Sequence, residues 1–156
     1  MTPEVTVRPA RAADVPLIVA LIRALAEYEK AAPGAVSVTD DLLQEALFGP
    51  HPSVEALIAE TAGSLAGYAL FFHNFSSWRG RRGLYLEDLF VRPELRGRGI
   101  GKALLQELTR IAAARGCARI EWVVIDWNSP AIGFYRSLGA EPIDGWTLYR
   151  LNLPPV

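Results

Sequence analysis

The chain has 156 residues, of which 51% are hydrophobic and 21% are charged, and its formal net charge at pH 7 is −1. This length and composition predict a single globular domain over residues 1–156, with enough apolar side chains for a substantial core. A charge so close to zero argues against a protein that holds nucleic acid through bulk positive charge.

The chain is predicted to begin with a strand and two helices. Val5 and Val7 alternate with polar residues, which is typical of a short strand. Asp14 is a candidate cap for the first helix, whose apolar side chains recur every three or four residues. Thr39 is a candidate cap for the second helix, and Gly49 ends it.

The most apolar stretch of the chain lies inside the first of these helices. It covers residues 17–22, which is too short to span a bilayer. Glu4 and Arg8 stand where the apolar core of a secretory signal would begin. We therefore expect a cytoplasmic protein that makes no contact with a membrane.

Three strands are predicted next, at residues 56–61, 65–72 and 84–91. The Ala62-Gly63-Ser64 segment between the first two is typical of a tight hairpin. The arginines at positions 79, 81 and 82 fall in the glycine-containing loop before the third strand. They predict a solvated turn rather than a binding site for a polyanion.

The second half of the chain alternates between helices and strands. Gly99 begins the longest helix and Gly116 ends it. Cys117 is the only cysteine, which excludes an internal disulfide. It is expected to be a buried, inert thiol. No metal site is predicted, because the two histidines share no ligand spacing with each other or with this cysteine. Residues 120–125 predict a strand buried on both faces, because no charge follows Glu121 within it.

A helix and a strand are predicted to complete the fold. Ser129 is a candidate cap for the helix, Pro130 its first residue and Gly139 its end. Residues 146–153 alternate as in a final strand, and a short extra strand is considered near Ala140. The order β-α-α-β-β-β-α-β-α-β predicts a protein of the α/β (α+β) class, in which helices cover both faces of a mixed sheet.

A glycine-rich loop, LRGRGIGK at residues 95–102, lies between a predicted strand and a predicted helix. Its backbone can fold closely around a ligand, and the free N–H groups of the helix start favour an anion such as pyrophosphate. A dinucleotide fingerprint would need glycine at Lys102, and a P-loop would need glycine at Arg96 and Ser or Thr at Ala103. The pattern that does match is Arg-x-x-Gly-x-Gly.

This loop and a second motif together carry a family resemblance. The second motif is DWNSPAIGFY at residues 126–135, followed by Leu138-Gly139-Ala140. Both resemble the GCN5-related N-acetyltransferase (GNAT) superfamily. The strand YLEDLFV at residues 85–91 is more narrowly similar to spermidine/spermine N-acetyltransferase and to the thialysine-acetylating branch.

The resemblance implies a mostly antiparallel mixed sheet whose fourth and fifth strands splay apart, with acetyl-CoA held in the gap. Asn128 matches the residue that holds the pantetheine arm. The residues that the resemblance implies for acetyl-CoA are Leu89, Phe90, Val91, Arg96, Gly97, Arg98, Gly99, Ile100, Gly101, Lys102, Asn128, Pro130, Ala131, Phe134 and Tyr135. The resemblance also implies a homodimer.

Acetyl transfer to an amine poses two proton problems. An ammonium group with a pKa of about 10.4 must lose a proton, and the departing thiolate is helped by gaining one. By resemblance, Glu87 is the water-mediated base and also a substrate-binding residue, and Tyr135 is the general acid, while Glu29 and Trp78 align with substrate-binding residues. Asp88 is a further substrate candidate, although a regular strand would point it away from the face of Glu87 unless a bulge intervenes.

Two branches of the family compete for the substrate. Ser76 and Ala32-Pro33 stand where polyamine-specific members carry acids, whereas Ser76-Ser77-Trp78 and Asp126-Trp127-Asn128 resemble the thialysine branch. Acetylation of a protein, peptide or drug amine is an alternative, and so is a non-catalytic module that senses acetyl-CoA. The presence of both Glu87 and Tyr135 counts against the sensor.

Overall fold

The computed structural model describes residues 3–154, which form two compact units that divide after Val123. The first unit contains β1 (Val5–Pro9), α1 (Val15–Tyr28), α2 (Asp40–Phe48), β2 (Glu55–Thr61), β3 (Ser64–Ser76), β4 (Arg81–Val91), α3 (Ile100–Ala114) and β5 (Ile120–Glu121). The second unit contains α4 (Ser129–Ser137). That residues 1–156 form a single domain stays a prediction.

The strands of the first unit form one five-stranded sheet in the order β1-β2-β3-β4-β5. All neighbours are antiparallel except β4 and β5, which are parallel. Only Leu84 and Tyr85 of β4 pair with β5, and β4 then continues to Val91 without it. The predicted mixed, mostly antiparallel sheet is therefore confirmed, and the splay of its fourth and fifth strands stays a prediction.

Helices cover both faces of this sheet. One apolar cluster joins α1 and α2 to strand residues that include Ile58, Tyr68, Leu70 and Phe90. Other buried strand residues, Leu57 and Phe71 among them, alternate with these and so belong to the opposite face, where α3 packs. Across the described range 3–154, no helix is both long enough and apolar enough to cross a membrane.

Asp14 and Thr39 stand at the starts of α1 and α2 as predicted, but only Thr39 caps its helix with a side-chain hydrogen bond. Thr39 Oγ1 accepts a hydrogen bond from the Leu42 backbone N–H at 3.2 Å. Asp14 immediately precedes α1, yet its carboxylate pairs with the Arg8 guanidinium at 2.8 Å instead of capping that helix. This ion pair connects β1 to the start of α1.

The hairpin between β3 and β4 is longer than the sequence predicted. β3 extends to Ser76, which pairs with Arg81 at the start of β4. The prediction of a turn over all three arginines is therefore wrong for Arg81 and Arg82, because cross-strand pairing continues through both. Arg79 does lie in the turn, where its N–H donates to Ser76 Oγ at 3.2 Å.

The predictions for the end of the chain are wrong in three respects. β5 ends at Glu121, and the side chain of Val123 is 65% exposed rather than buried on both faces. The strands expected over residues 146–153 and near Ala140 are not formed in the part of the chain that the structure describes. An alternating pattern indicates a strand only where a neighbouring strand satisfies its backbone, so the pattern by itself does not ensure a strand.

Helix α4 begins one residue earlier than predicted. Asn128, not Ser129, is the cap: its Oδ1 accepts from the Ala131 N–H at 3.4 Å. Ser129 is already the first helical residue, and Pro130 follows it. Asn is as good a cap as Ser, so sequence preference alone does not distinguish the two positions.

Gly67 is predicted to be required for the close approach of β3 and β4. A Cβ at this position would lie 2.5 Å from the Phe90 carbonyl oxygen and 3.2 Å from Val91 Cα. We expect Gly67→Ala to lower the free energy of unfolding by about 1–3 kcal/mol, measured by urea denaturation. The matched control is Gly133→Ala in α4, where a Cβ meets nothing within 4 Å and helix propensity favours alanine. Equal effects of the two substitutions would contradict this packing argument.

Candidate active site

A β-bulge in β4 creates the candidate site. Leu86 pairs with Phe71 and Asp88 pairs with Leu70, so Glu87 between them has no partner in the ladder. In a regular strand Leu86 and Asp88 would share a face, but the extra residue turns them to opposite faces. Asp88 therefore joins the face that α1 and α2 cover, while Glu87 is exposed.

Tyr68 fixes the Asp88 carboxylate on this face. The Tyr68 side chain is completely buried, and its hydroxyl donates to Asp88 Oδ2 at 3.0 Å. Among residues 3–154 no other hydrogen bond to this carboxylate is found. No fully buried side-chain oxygen in that range lacks a partner, so the second carboxylate oxygen, Oδ1, is not fully buried.

Two further carboxylates act on Asp88. Burial raises the pKa of Asp88 to about 6, the Tyr68 hydrogen bond opposes this rise, and repulsion from Glu87 and Glu29 adds to it. Burial also raises the pKa of Glu29, which follows the last residue of α1. The structure thus brings Glu29, Glu87 and Asp88, three of the predicted substrate-binding residues, into one electrostatically coupled cluster.

Arg96 connects the glycine loop to this cluster. Its guanidinium carbon lies 4.7 Å from the centre of the Tyr28 ring and 5.4 Å from that of Phe90. Its Nε also donates to the Val91 carbonyl oxygen at 3.1 Å. Tyr28 is next to Glu29 in the chain, and Phe90 of β4 pairs with Tyr68 of β3. Arg96 therefore holds the start of the loop against the side of the sheet that carries the acids.

The glycine loop has the backbone that an anion requires. Gly97 and Gly99 have φ angles of +77° and +80°, a left-handed conformation that other residues rarely adopt. Gly99 is the N-cap of α3 and offers no side chain, so the first-turn N–H groups carry no side-chain cap. A free helix start flanked by the exposed cations Arg96, Arg98 and Lys102 fits the pyrophosphate of a coenzyme A ester.

Five of the predicted acetyl-CoA residues lie together in the second unit. Asn128, Pro130, Ala131, Phe134 and Tyr135 belong to α4 and its cap. Asn128 is buried, and the centres of the Phe134 and Tyr135 rings are 5.6 Å apart. Tyr135 and Glu87 therefore belong to different units, and the pairing of these two as acid and base stays a prediction.

Trp78 and Arg98 lie apart from the acidic cluster. Trp78 is 87% exposed in the turn between β3 and β4. Glu87 stands six residues beyond the start of β4, which places it roughly 20 Å along the strand from this turn. Arg98 borders a surface cavity formed with the β2–β3 hairpin, which contains none of the predicted catalytic residues.

Sequence reasoning missed Tyr68 and Tyr28 as parts of the site. Tyr68 lies in an apolar run, where an aromatic residue is expected to be core, and its ring is indeed in the core. Its hydroxyl reaches Asp88 only because the bulge places both residues on one face. The available signal was the acidic pair Glu87-Asp88 inside an apolar strand, since a buried carboxylate requires a hydrogen-bond donor.

The raised pKa of Asp88 predicts that this residue destabilises the protein at neutral pH. The folded state keeps the Asp88 proton up to a higher pH than the unfolded state, so stability falls as pH rises from about 4 to about 6. Asp88→Asn retains an oxygen that can accept from Tyr68 and removes the charge. We expect the free energy of unfolding to rise by about 1–3 kcal/mol at pH 7 and to change little at pH 4.

Urea denaturation of both proteins at the two pH values measures this difference. Glu141→Gln, which removes an exposed carboxylate outside any helix or strand, is the control and should change stability by less than about 0.5 kcal/mol. An Asp88→Asn protein that is less stable than the parent at pH 7 would contradict the assigned electrostatic cost.

Comparisons with known proteins agree with the family resemblance. The model of the acetyltransferase (GNAT) family matches residues 20–140. Thialysine N-epsilon-acetyltransferase of Bos taurus is 36% identical over 159 residues, covering 95% of this chain and 92% of that protein. Spermidine/spermine N(1)-acetyltransferase-like protein 1 of Homo sapiens is 36% identical over 156 residues, covering 94% of this chain and 22% of that protein.

Solved structures show the same fold. An integron cassette protein from the mobile metagenome of V. cholerae superposes with a TM-score of 0.78 at 27% identity, covering 95% of this chain and 92% of that one. The family match spans well over half of the chain, and the Bos taurus relative aligns over nearly all of it. The chain therefore belongs to the GNAT family and is an N-acetyltransferase.

Proposed function

We propose that this protein transfers an acetyl group from acetyl-CoA to the primary amine of a small molecule by direct attack of the amine. The observation that carries the proposal is the cluster of Glu29, Glu87 and Asp88 at the β4 bulge, connected to the glycine loop through Arg96. A cation-binding set of acids beside a loop suited to pyrophosphate is what an amine acetyltransferase requires.

Members of this family use acetyl-CoA as the acyl donor. When bound, acetyl-CoA supplies the acetyl group as an activated thioester. We propose that the residue 96–102 loop holds its pyrophosphate, that the backbone of Leu89, Phe90 and Val91 lies along it, and that Asn128 and α4 hold the pantetheine arm. The left-handed glycines and the uncapped start of α3 support the first of these assignments.

The residues of the chain would perform two proton transfers. Glu87 is exposed at the bulge and takes the ammonium proton through a water molecule, which frees the nitrogen lone pair for attack. Tyr135, a phenol that is ordinarily protonated at pH 7, donates its hydroxyl proton to the departing sulfur. Neither step requires a metal ion or a covalent enzyme intermediate.

The acidic cluster favours a short cationic substrate. Three carboxylates in one place suit a single ammonium group, whereas a long polycation would need acids spread along its length. The Bos taurus relative, which this chain covers almost completely, is named for thialysine. We propose a thialysine- or lysine-like amino acid as the substrate class, with a diamine or polyamine as the alternative.

We further propose that the protein is cytoplasmic and works as a homodimer. Trp78 lies far along the hairpin from Glu87 and is exposed, so a second copy is one way to bring an aromatic side chain to the amine. Large apolar side chains of the final segment, Leu148, Leu151 and Leu153 among them, are more than two thirds exposed. Such a run suits burial against another surface.

The proposal is tested by release of thiol from acetyl-CoA in the presence of single amines. The panel is thialysine, lysine, spermidine, putrescine and a lysine-containing peptide. We expect turnover with thialysine or lysine to exceed turnover with the polyamines and the peptide. Turnover with the peptide alone would contradict the small-molecule assignment. Tight binding of acetyl-CoA with no turnover of any amine would favour the sensor alternative.

Glu87→Gln and Tyr135→Phe are predicted to impair the two proton transfers. Each substitution should lower kcat by about 10²–10⁴-fold, because each removes one general acid or base. The dissociation constant of acetyl-CoA, measured by calorimetry, should change little for Glu87→Gln. The matched controls are Glu141→Gln and Tyr149→Phe, which remove the same groups from exposed positions. Full activity of either active-site variant would remove the corresponding assignment.

A further inference from the structure

We propose that Asp88, oriented by the buried Tyr68 hydroxyl, is the last group of the enzyme to hold the proton lost by the amine before this proton leaves to solvent. Tyr68 is then a positioning residue for the reaction. Glu87 accepts the proton first and passes it to Asp88, so the two carboxylates form a proton relay. This inference rests on the proposed function, because it concerns the proton that amine acetylation must remove.

The orientation of Asp88 leaves one carboxylate oxygen for the proton. Oδ2 accepts the Tyr68 hydroxyl at 3.0 Å, so it is the less available of the two oxygens for a proton. Oδ1 has no hydrogen-bond partner among the described residues and is not fully buried, so water can reach it. A completely buried tyrosine ring has little freedom to move, which fixes the direction in which Oδ1 points.

The bulge places the two carboxylates in succession. Glu87 is exposed and outside the β-ladder, and the next residue, Asp88, is half-buried on the face of the α1 cluster. The charge of Glu87 raises the pKa of Asp88, so the two carboxylates are within electrostatic reach of each other. A proton accepted at the exposed carboxylate can therefore pass inward through water and relieve this repulsion.

The chemistry of the buried group suits a terminal acceptor. A carboxylate with a pKa of about 6 holds a proton roughly 100 times more strongly than one with an ordinary pKa of about 4. In the balanced step an N–H bond breaks, its electron pair stays on nitrogen for the attack, and an O–H bond forms at Asp88 Oδ1. The proton later leaves to solvent, while Tyr68 keeps its own proton because burial and Asp88 raise its pKa.

Burial raises the pKa of Asp88 most, and three neighbouring groups adjust its affinity for this proton further. They are Glu87 on the same strand, Glu29 at the end of α1, and Tyr68 on β3. Only Tyr68 favours the ionised carboxylate, since the two glutamates repel it. Tyr68→Phe keeps the buried ring and deletes the one favourable contact, so the carboxylate should then hold its proton up to a higher pH.

The test measures kcat and kcat/KM against pH for the parent, Tyr68→Phe and Asp88→Asn, with whichever amine the panel identifies. We expect the acidic limb of kcat/KM to move up by about 1 pH unit in Tyr68→Phe. We expect Asp88→Asn to lower kcat by about 100-fold, in addition to any rise in KM that comes from the loss of one of the three substrate-binding acids. Titration of carbon-13-labelled aspartate carboxyls by NMR, with the Asp88 signal assigned from its loss in Asp88→Asn, should show the same upward shift in Tyr68→Phe.

The control is Asp14→Asn, which weakens another largely buried contact, the ion pair of Asp14 with Arg8, in which none of the predicted catalytic residues takes part. Asp14→Asn should lower the free energy of unfolding and leave the acidic limb of kcat/KM at the same pH as in the parent. An unmoved limb in Tyr68→Phe, or a rise in KM alone in Asp88→Asn, would overturn the relay and leave Asp88 only a substrate-binding acid. If the parent protein acetylates no amine, the proposed function itself fails, and the relay fails with it.

Discussion

The β-bulge at Glu87 is the constraint on which the candidate site depends. A regular strand would carry Leu86 and Asp88 on the same face. Burial of Leu86 in the α3 layer would then also bury the Asp88 carboxylate there, away from its hydrogen-bond partner Tyr68. The extra residue resolves this conflict, because Leu86 stays in the α3 layer while Asp88 turns to Tyr68 in the α1 layer. Glu87 is left outside the ladder, where a substrate and water can reach it.

The proximity of Glu29, Glu87 and Asp88 lowers the free energy of unfolding, and the packing of the surrounding core compensates for this loss. Burial raises the pKa values of Asp88 and Glu29, and repulsion from Glu87 and Glu29 adds to the rise for Asp88, so ionisation of these two groups at neutral pH works against the folded state. The strands that carry Tyr68 and Asp88 are central in the sheet and are covered by helices on both faces. A rigid, well-packed frame is what allows such groups to be held in one arrangement.

The glycine loop is in direct contact with the residues that carry the acidic cluster. Arg96 belongs to the loop by sequence, yet its guanidinium packs on Tyr28 at the end of α1 and on Phe90 of β4. A ligand that orders the loop would therefore also brace the helix end that carries Glu29. In an enzyme with two substrates, this contact is a direct physical route between the acyl-donor loop and the amine-binding acids.

The elements through α3, the glycine loop and the family could be predicted from the sequence, because apolar periodicity, turn residues and a contiguous motif are local properties. The pairing of Tyr68 with Asp88 and the packing of Arg96 on Tyr28 emerge only from the folded chain, since a one-residue bulge and a side-chain rotamer leave no periodic signature. The tertiary structure also decided that residues 146–153 form no strand, although their alternation indicates one. A strand exists only where another strand accepts its hydrogen bonds, and that partner is not encoded in the segment itself.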